Sequence, residues 1–225
     1  MPIYLGEVRP RRQEQDEQQD PRRKRDPDAT RKAILDAAED LFVCHGQSAT
    51  SLSQIAKAAE VTKSLIHHHF GSKEELWQAV QERHFEEYFK IQKRMISESA
   101  STAELLGESV VAYFRFLQQH PRCVRWWSWA TLEEENWATA GEKELFELGI
   151  GKIREAQDAG EIRADLEPFF IIKTLIALPM AWFQTRAETL SLIDSDVEPE
   201  ALDDMYLRDM VSLFLDGVRC RNGGA

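Results

Sequence analysis

Residues 52–70 hold two short apolar stripes of helical period separated at Glu60-Val61, and no other stretch constrains the fold of this chain so tightly. Leu52, Ile55, Ala56 and Ala59 form the first stripe, with Ser53, Gln54 and Lys57 pointing away from it. Ser51 and Gln54 have the spacing of a capping box, with Thr50 a competing cap, so the helix start is marked by groups that satisfy its first free backbone donors. Val61 fills the inside of the turn. Thr62 then caps a second helix that carries Ile66 and Phe70 inward and leaves Lys63, Ser64, Leu65, His67 and His68 on the outer surface. Small residues at Ala56 and Ala59 let the two helices approach closely, which holds the second at a steep angle and offers its first turn to a major groove. The same pattern also describes an ordinary helical hairpin in a core, so the flanking sequence has to decide.

Upstream, Thr30 to Phe42 reads as a longer amphipathic helix with Ile34, Ala37, Ala38 and Leu41 on one face, ended by Gly46. Downstream, Ser72 and Glu75 form a second capping box that opens a long helix through about Met95. Beyond it, helical stretches are separated by clear breakers: Thr102 to Gln119, a tryptophan-rich segment opened by Pro121, Glu142 to Ala159 before Gly160, an apolar stretch opened by Pro168, and Glu200 to Arg219. No strand pattern appears. The fold class expected is all-α, with a charged arm over 1–27, a three-helix helix-turn-helix domain over 28–75 and a helical second domain over 76–225.

The order of motifs resembles the tetracycline-repressor family of bacterial transcription regulators. The matching residues begin at Thr30-Arg31 and Ile34-Leu35-Asp36-Ala37-Ala38, then run through Leu41-Phe42, Gly46, Ala49-Thr50-Ser51-Leu52, Ile55-Ala56, Ala59 and Val61-Thr62-Lys63-Ser64 to His69-Phe70-Gly71-Ser72-Lys73-Glu74-Glu75-Leu76. The resemblance implies a ligand-responsive regulator, a repressor, that binds an inverted-repeat operator in double-stranded DNA as a homodimer. It implies base-edge or groove contacts from Thr62, Lys63, Ser64 and Leu65, and phosphate contacts from Thr50, His67, His68 and Lys73. A small molecule held in the second domain would shift the long helix from Lys73 and change the separation of the two heads. Two residues depart from the family's pattern. Glu60 stands in the turn where glycine is usual, at a cost on the order of 1 kcal/mol if the backbone there needs positive φ. His67 stands where a phosphate-contacting tyrosine is common, so binding is expected to weaken as pH rises through the histidine range.

The net charge of −11 conflicts with DNA binding only until it is divided by region. The arm nets +1, residues 28–75 net −2 and residues 76–225 net −10, so the acid belongs mostly to the second domain. Within 51–73, Lys57, Lys63 and Lys73 face only Glu60, and phosphate contacts depend on that local field. Arg22-Arg23-Lys24-Arg25, just before the first helix, suits either a DNA-tracking arm or a solubilising tail. Cys44, Cys123 and Cys220 are odd in number and scattered, against a disulfide framework. No apolar run reaches the roughly 20 residues that span a bilayer and no signal peptide is evident, so the expectation is a cytoplasmic protein with no membrane partner.

In the second domain Phe169 to Phe183 is apolar nearly all round. Together with Met205, Met210, Leu213 and Phe214 it suggests an intersubunit four-helix bundle, with a large intramolecular core as the other reading. Trp126, Trp129, Glu133 and Trp137 would align on a continuous helix and, with Phe114, Met180 and Phe183, could wall a pocket for a flat or cationic apolar effector. Ordinary core packing is the alternative for each tryptophan. No catalytic constellation, metal site or cofactor motif is found, and His67, His68 and His69 fan around a helix axis without converging on one ion. The competing functional class is a helical protein-interaction adaptor that kept the fold without specific DNA binding.

Overall fold

A computed structural model describes residues 26–99, 101–134, 138–193 and 197–220. The basic run at Arg22–Arg25 and nearly all of the proposed arm lie outside the described residues, as does Trp137. Nine helices make up the described chain: α1 (Pro27–His45), α2 (Leu52–Ala58), α3 (Lys63–Phe70), α4 (Lys73–Glu98), α5 (Thr102–Gln119), α6 (Pro121–Leu132), α7 (Ala140–Asp158), α8 (Pro168–Leu192) and α9 (Pro199–Val218). Strand pairing among them is limited to one isolated bridge between Ile162 and Arg219. The architecture is all-α.

Side-chain caps set several of the boundaries. The Asp26 carboxylate accepts from the Asp28 N–H at the start of α1, where Pro27 supplies a preset φ. Ser51 with Gln54 and Ser72 with Glu75 form complete capping boxes at α2 and α4, while Thr62 caps α3 through the Leu65 N–H. α6 stops at Leu132, so the continuous helix expected to align Trp126, Trp129 and Glu133 ends before Glu133.

Two apolar clusters hold the helices together. The first joins α1, α2 and α3 to the N-terminal half of α4 and to α6, with Phe42, Trp77 and Trp126 fully buried in it. The second joins α5, α7, α8 and α9 around Phe114, Ile153, Leu175 and Phe214. Asp203 of α9 is almost wholly buried, yet its carboxylate accepts from Trp182 Nε1, Gln118 Nε2 and the Arg186 guanidinium at 2.6–3.0 Å, so the charge is paired and α9 is pinned to α5 and α8.

α8 has the length and composition of a membrane span, in contrast to the reading that no such run exists. Neighbours within the chain account for part of this apolarity: α8 packs against α5, α6, α7 and α9, and Arg186 near its end pairs with Asp203, while 33% of the apolar window is buried. It is the central helix of the second cluster.

Candidate nucleic-acid interface and ligand cavity

The helix-turn-helix is built around the α2–α3 turn. The Ala59 and Val61 N–H groups donate to the Ile55 and Ala56 carbonyls at 2.9 Å, which folds the chain back sharply after Ala58. Glu60, between them, has φ of 53°, so the left-handed backbone usually given to glycine is adopted here by a residue that pays for it with strain of about 1 kcal/mol. Val61 packs against the first cluster, Ile66 and Phe70 are buried in it, and the opposite face of α3 is left outside. Thr62, Lys63, Ser64, His67 and His68 are exposed, and Leu65 is 37% exposed. The Thr62 and Ser64 hydroxyls lie 2.9 Å apart, presenting two small polar groups beside Lys63. His67 Nδ1 donates to the Gly71 carbonyl at 2.6 Å. Gly71 has φ of 77°, a left-handed backbone that favours glycine, where α3 turns into α4.

Thr50 and Lys73, read from sequence as phosphate contacts, are placed differently. Thr50 is 2% exposed and its hydroxyl donates to the Gly46 carbonyl at 2.7 Å, which closes the loop between α1 and α2 and removes the side chain from any DNA-facing surface. The Lys73 ammonium donates to the Gln47 and Thr50 carbonyls at 3.0 and 3.2 Å, tying α4 to that same loop. Two of its three N–H groups are thereby used within the protein.

The predicted pocket wall also resolves into other roles. Trp126 is 1% exposed and packs on Trp77 with ring centroids 4.6 Å apart, as part of the core beneath the helix-turn-helix. Trp129 Nε1 donates to the Val43 carbonyl at 3.2 Å. The Glu133 carboxylate accepts from the Gln47 and Ser48 N–H groups, at 2.8 and 3.1 Å, just beyond the end of α1. Both are clasps between α6 and the first domain. The Phe114 and Phe183 rings pack at a tilt of 48° with centroids 4.7 Å apart in the second cluster, and Met180 is buried in the first. None of these six residues lines the apolar cavity between α4, α5, α7 and α8, and Trp137, the seventh of the predicted wall, lies outside the described residues.

Below the clasps, charged side chains join α1, α4 and α6. Arg83 donates to Asp36 at 2.7 Å and to Glu39, and Arg122 donates to Glu39 and Asp40 at 2.7 and 2.6 Å. Burial opposes ionisation of Glu39, but His84, Arg122 and Arg83 together outweigh it and hold the carboxyl below its usual range. Burial, with the two arginines nearby, lowers the His84 pKa.

The cavity itself lies between α4, α5, α7 and α8, with a volume of about 90 Å³. Phe85, Phe89, Phe146 and Trp127 contribute aromatic walls, and Gln92, Ser109, Tyr88 and Tyr113 contribute polar atoms. One signal for it was available in the sequence: Gln81 and Gln92 share the face of α4 that carries Phe85 and Tyr88, so amides interrupt an otherwise apolar stripe. Among the described residues, no three of His, Cys, Asp or Glu gather as metal ligands.

Residues 34–80 match the profile of bacterial regulatory proteins of the tetR family, and residues 106–211 match that of the tetracyclin repressor-like C-terminal domain. The chain belongs to the tetracycline-repressor family. Similarity to curated proteins includes the HTH-type transcriptional activator FasR of Mycolicibacterium smegmatis, 31% identical over 44% of this chain and 45% of that protein. The match thus spans less than half of that relative's length. The HTH-type transcriptional repressor NicS of Pseudomonas putida is 25% identical over 85% of this chain and 93% of its own. Among solved structures, a TetR family transcription regulator from Marinobacter aquaeolei VT8 superposes with a TM-score of 0.66 at 21% identity, covering 86% of this chain and 97% of that one.

Within this TetR-family chain, α8 and α9 carry an apolar face that nothing among the described residues covers. Phe170 is 65% and Leu213 75% exposed, and they flank a groove that also includes Leu178 and Thr174. Met205 is exposed as well, whereas Met210 and Phe214, grouped with it on sequence grounds, are buried in their own chain's core.

Proposed function

We propose that this TetR-family protein is a ligand-responsive, sequence-specific transcriptional regulator, a repressor, that binds an inverted-repeat operator as a homodimer. One observation carries the reading: the first turn of α3 is capped by Thr62 and exposed at Lys63, Ser64 and Leu65, while Ile66 and Phe70 lock its other face into a rigid core. Thr62, Lys63, Ser64 and Leu65 are assigned to the groove, and His67 and His68 to phosphates. Lys73 retains one N–H for a phosphate. The Nδ1 bond to Gly71 fixes the neutral His67 tautomer with a bare Nε2, so a phosphate contact from that nitrogen requires the protonated ring. NicS, a repressor similar to this chain along most of its length, supports repression.

The exposed α8 and α9 face supplies a self-complementary surface for a second copy, and two heads would then address half-sites about 34–36 Å apart. A ligand entering the cavity acts on α4, whose first turn is joined to α3 through Gly71 and to the α1–α2 loop through Lys73. Shifting α4 therefore re-aims α3. Selection from random duplexes with purified protein should yield a palindromic site, and Lys63→Ala should weaken that site by about tenfold or more without changing thermal stability. Equal, weak binding to every duplex would refute the proposal in favour of an adaptor.

A further inference from the structure

The chemistry of the cavity suggests which molecules it accepts, an inference that rests on the reading of this cavity as the effector site. Gln92 is 3% exposed, lines the cavity, and its Nε2 has no hydrogen-bond partner. A buried amide donor left in that condition is costly unless a ligand or water completes it. Gln81, Ser109, Tyr88 and Tyr113 also line the space, all of them neutral residues.

The two charged residues of the lining, Glu142 and Lys152, are of opposite sign. Lys152 donates to Glu155 at 3.2 Å. Glu142 sits in the first turn of α7, where the helix dipole, the Lys173 charge and the Thr139 backbone favour its carboxylate, although burial dominates and raises its pKa. An anion entering beside Glu142 meets a like charge. A cation entering the same space meets the like charge of Lys152.

We propose that the cavity binds an uncharged aromatic molecule bearing an acceptor oxygen, a ketone or similar group, with the ring against Phe85, Phe89, Phe146 or Trp127 and the oxygen accepting from Gln92 Nε2. A ring held there bears on the contact between α4 and α7, which supply Phe89 and Phe146 to the walls. That contact is close: Phe89 of α4 packs where a Cβ on Gly141 of α7 would lie 3.3 Å from its ring. The ligand therefore works on the same helix that joins α3.

Four one-ring probes of similar shape separate the possibilities: acetophenone, ethylbenzene, benzoate and benzylamine, titrated into the full chain by ligand-observed NMR. Acetophenone should bind at least about tenfold more tightly than the other three. Gln92→Leu, which keeps the side-chain volume, should remove the advantage over ethylbenzene, and Gln92→Glu should turn the preference toward benzylamine. Tighter binding of benzoate or benzylamine to the unmodified protein, an unchanged ketone preference in Gln92→Leu where thermal unfolding shows that the variant is folded, or no binding by any probe would overturn the inference. Operator binding is measured separately on the same samples. Absence of ketone selectivity in the unmodified protein, with operator binding intact, rejects the ligand class alone, whereas selective ketone binding that never alters operator affinity leaves the ligand class standing and rejects the effector reading.

Discussion

Replacing Glu133 with alanine tests whether the two domains are joined by the α6 clasp. Its carboxylate accepts from two backbone N–H groups, and their surroundings differ: Gln47 is 3% exposed, while Ser48 faces solvent. Water replaces the lost partner at Ser48 at little cost. At Gln47 it cannot, and an orphaned donor that had a charged acceptor costs about 1.5–3 kcal/mol. Truncation also empties the space over Gly46, where a Glu133 carboxylate oxygen lies 2.4 Å from the position a Cβ would take, so the loop loses packing as well. For a chain of this length about 1 kcal/mol moves the melting temperature by roughly 2–4 °C, so Glu133→Ala should lower it by about 5–10 °C. Glu133→Gln keeps a neutral acceptor and should lose about half as much. Thermal unfolding followed by circular dichroism reads the shift, and hydrogen exchange at Gln47 should accelerate. A melting temperature within about 1 °C of the parent, with Gln47 exchange unchanged, would refute the clasp and the magnitude together.

Leu213→Glu should convert a dimer into a folded monomer, because the side chain is 75% exposed and the substitution disturbs no internal packing; sedimentation that leaves the mass unchanged would reject the α8 and α9 face as the contact. Lys73→Ala should lower the melting temperature by roughly 2–6 °C through two lost carbonyl bonds, while changing the salt dependence of operator binding by at most about one unit of slope. A variant with unchanged stability and a much flatter slope would restore the purely phosphate-binding role. Acidification should weaken the α1, α4 and α6 seam. His84 has a folded pKa below its ordinary value near 6.5 and Glu39 one below 4.5, so each contributes stability that is present above those values and lost as pH falls through them. The melting temperature should decline from about pH 6.5 downward, and His84→Asn should flatten the upper part of that decline; an identical profile in the variant would exclude His84 as its source.

Much of the reading head was legible because it is specified locally. Capping boxes at Ser51 and Ser72, the Thr62 cap, the stripe of Ile55 and Ala56, and Gly46 after α1 each act within a few residues, and each appears in the structure where the spacing placed it. Positive φ at Glu60 is raised only as a condition, from the glycine usual at that turn in the resembled family, and the structure meets it at 53°. Residue roles beyond the helix were less accessible. Thr50 has the chemistry of a phosphate ligand, and only the fold shows its hydroxyl turned onto Gly46.

The tryptophans make the limit plain. Their spacing promised a wall, but α6 ends at Leu132 and delivers Trp126 to the first core, Trp129 to Val43 and Glu133 to the α1–α2 loop. Periodicity tells which side chains share a helix face and says nothing of which neighbour that face meets. By itself, then, the sequence determined the helices, their caps, the family and the local shape of the α2–α3 turn, since these depend on contacts a few residues long. Tertiary structure decided where the cavity lies, which cations remain for a partner and what joins the domains, because those depend on side chains brought together from helices roughly fifty to a hundred residues apart.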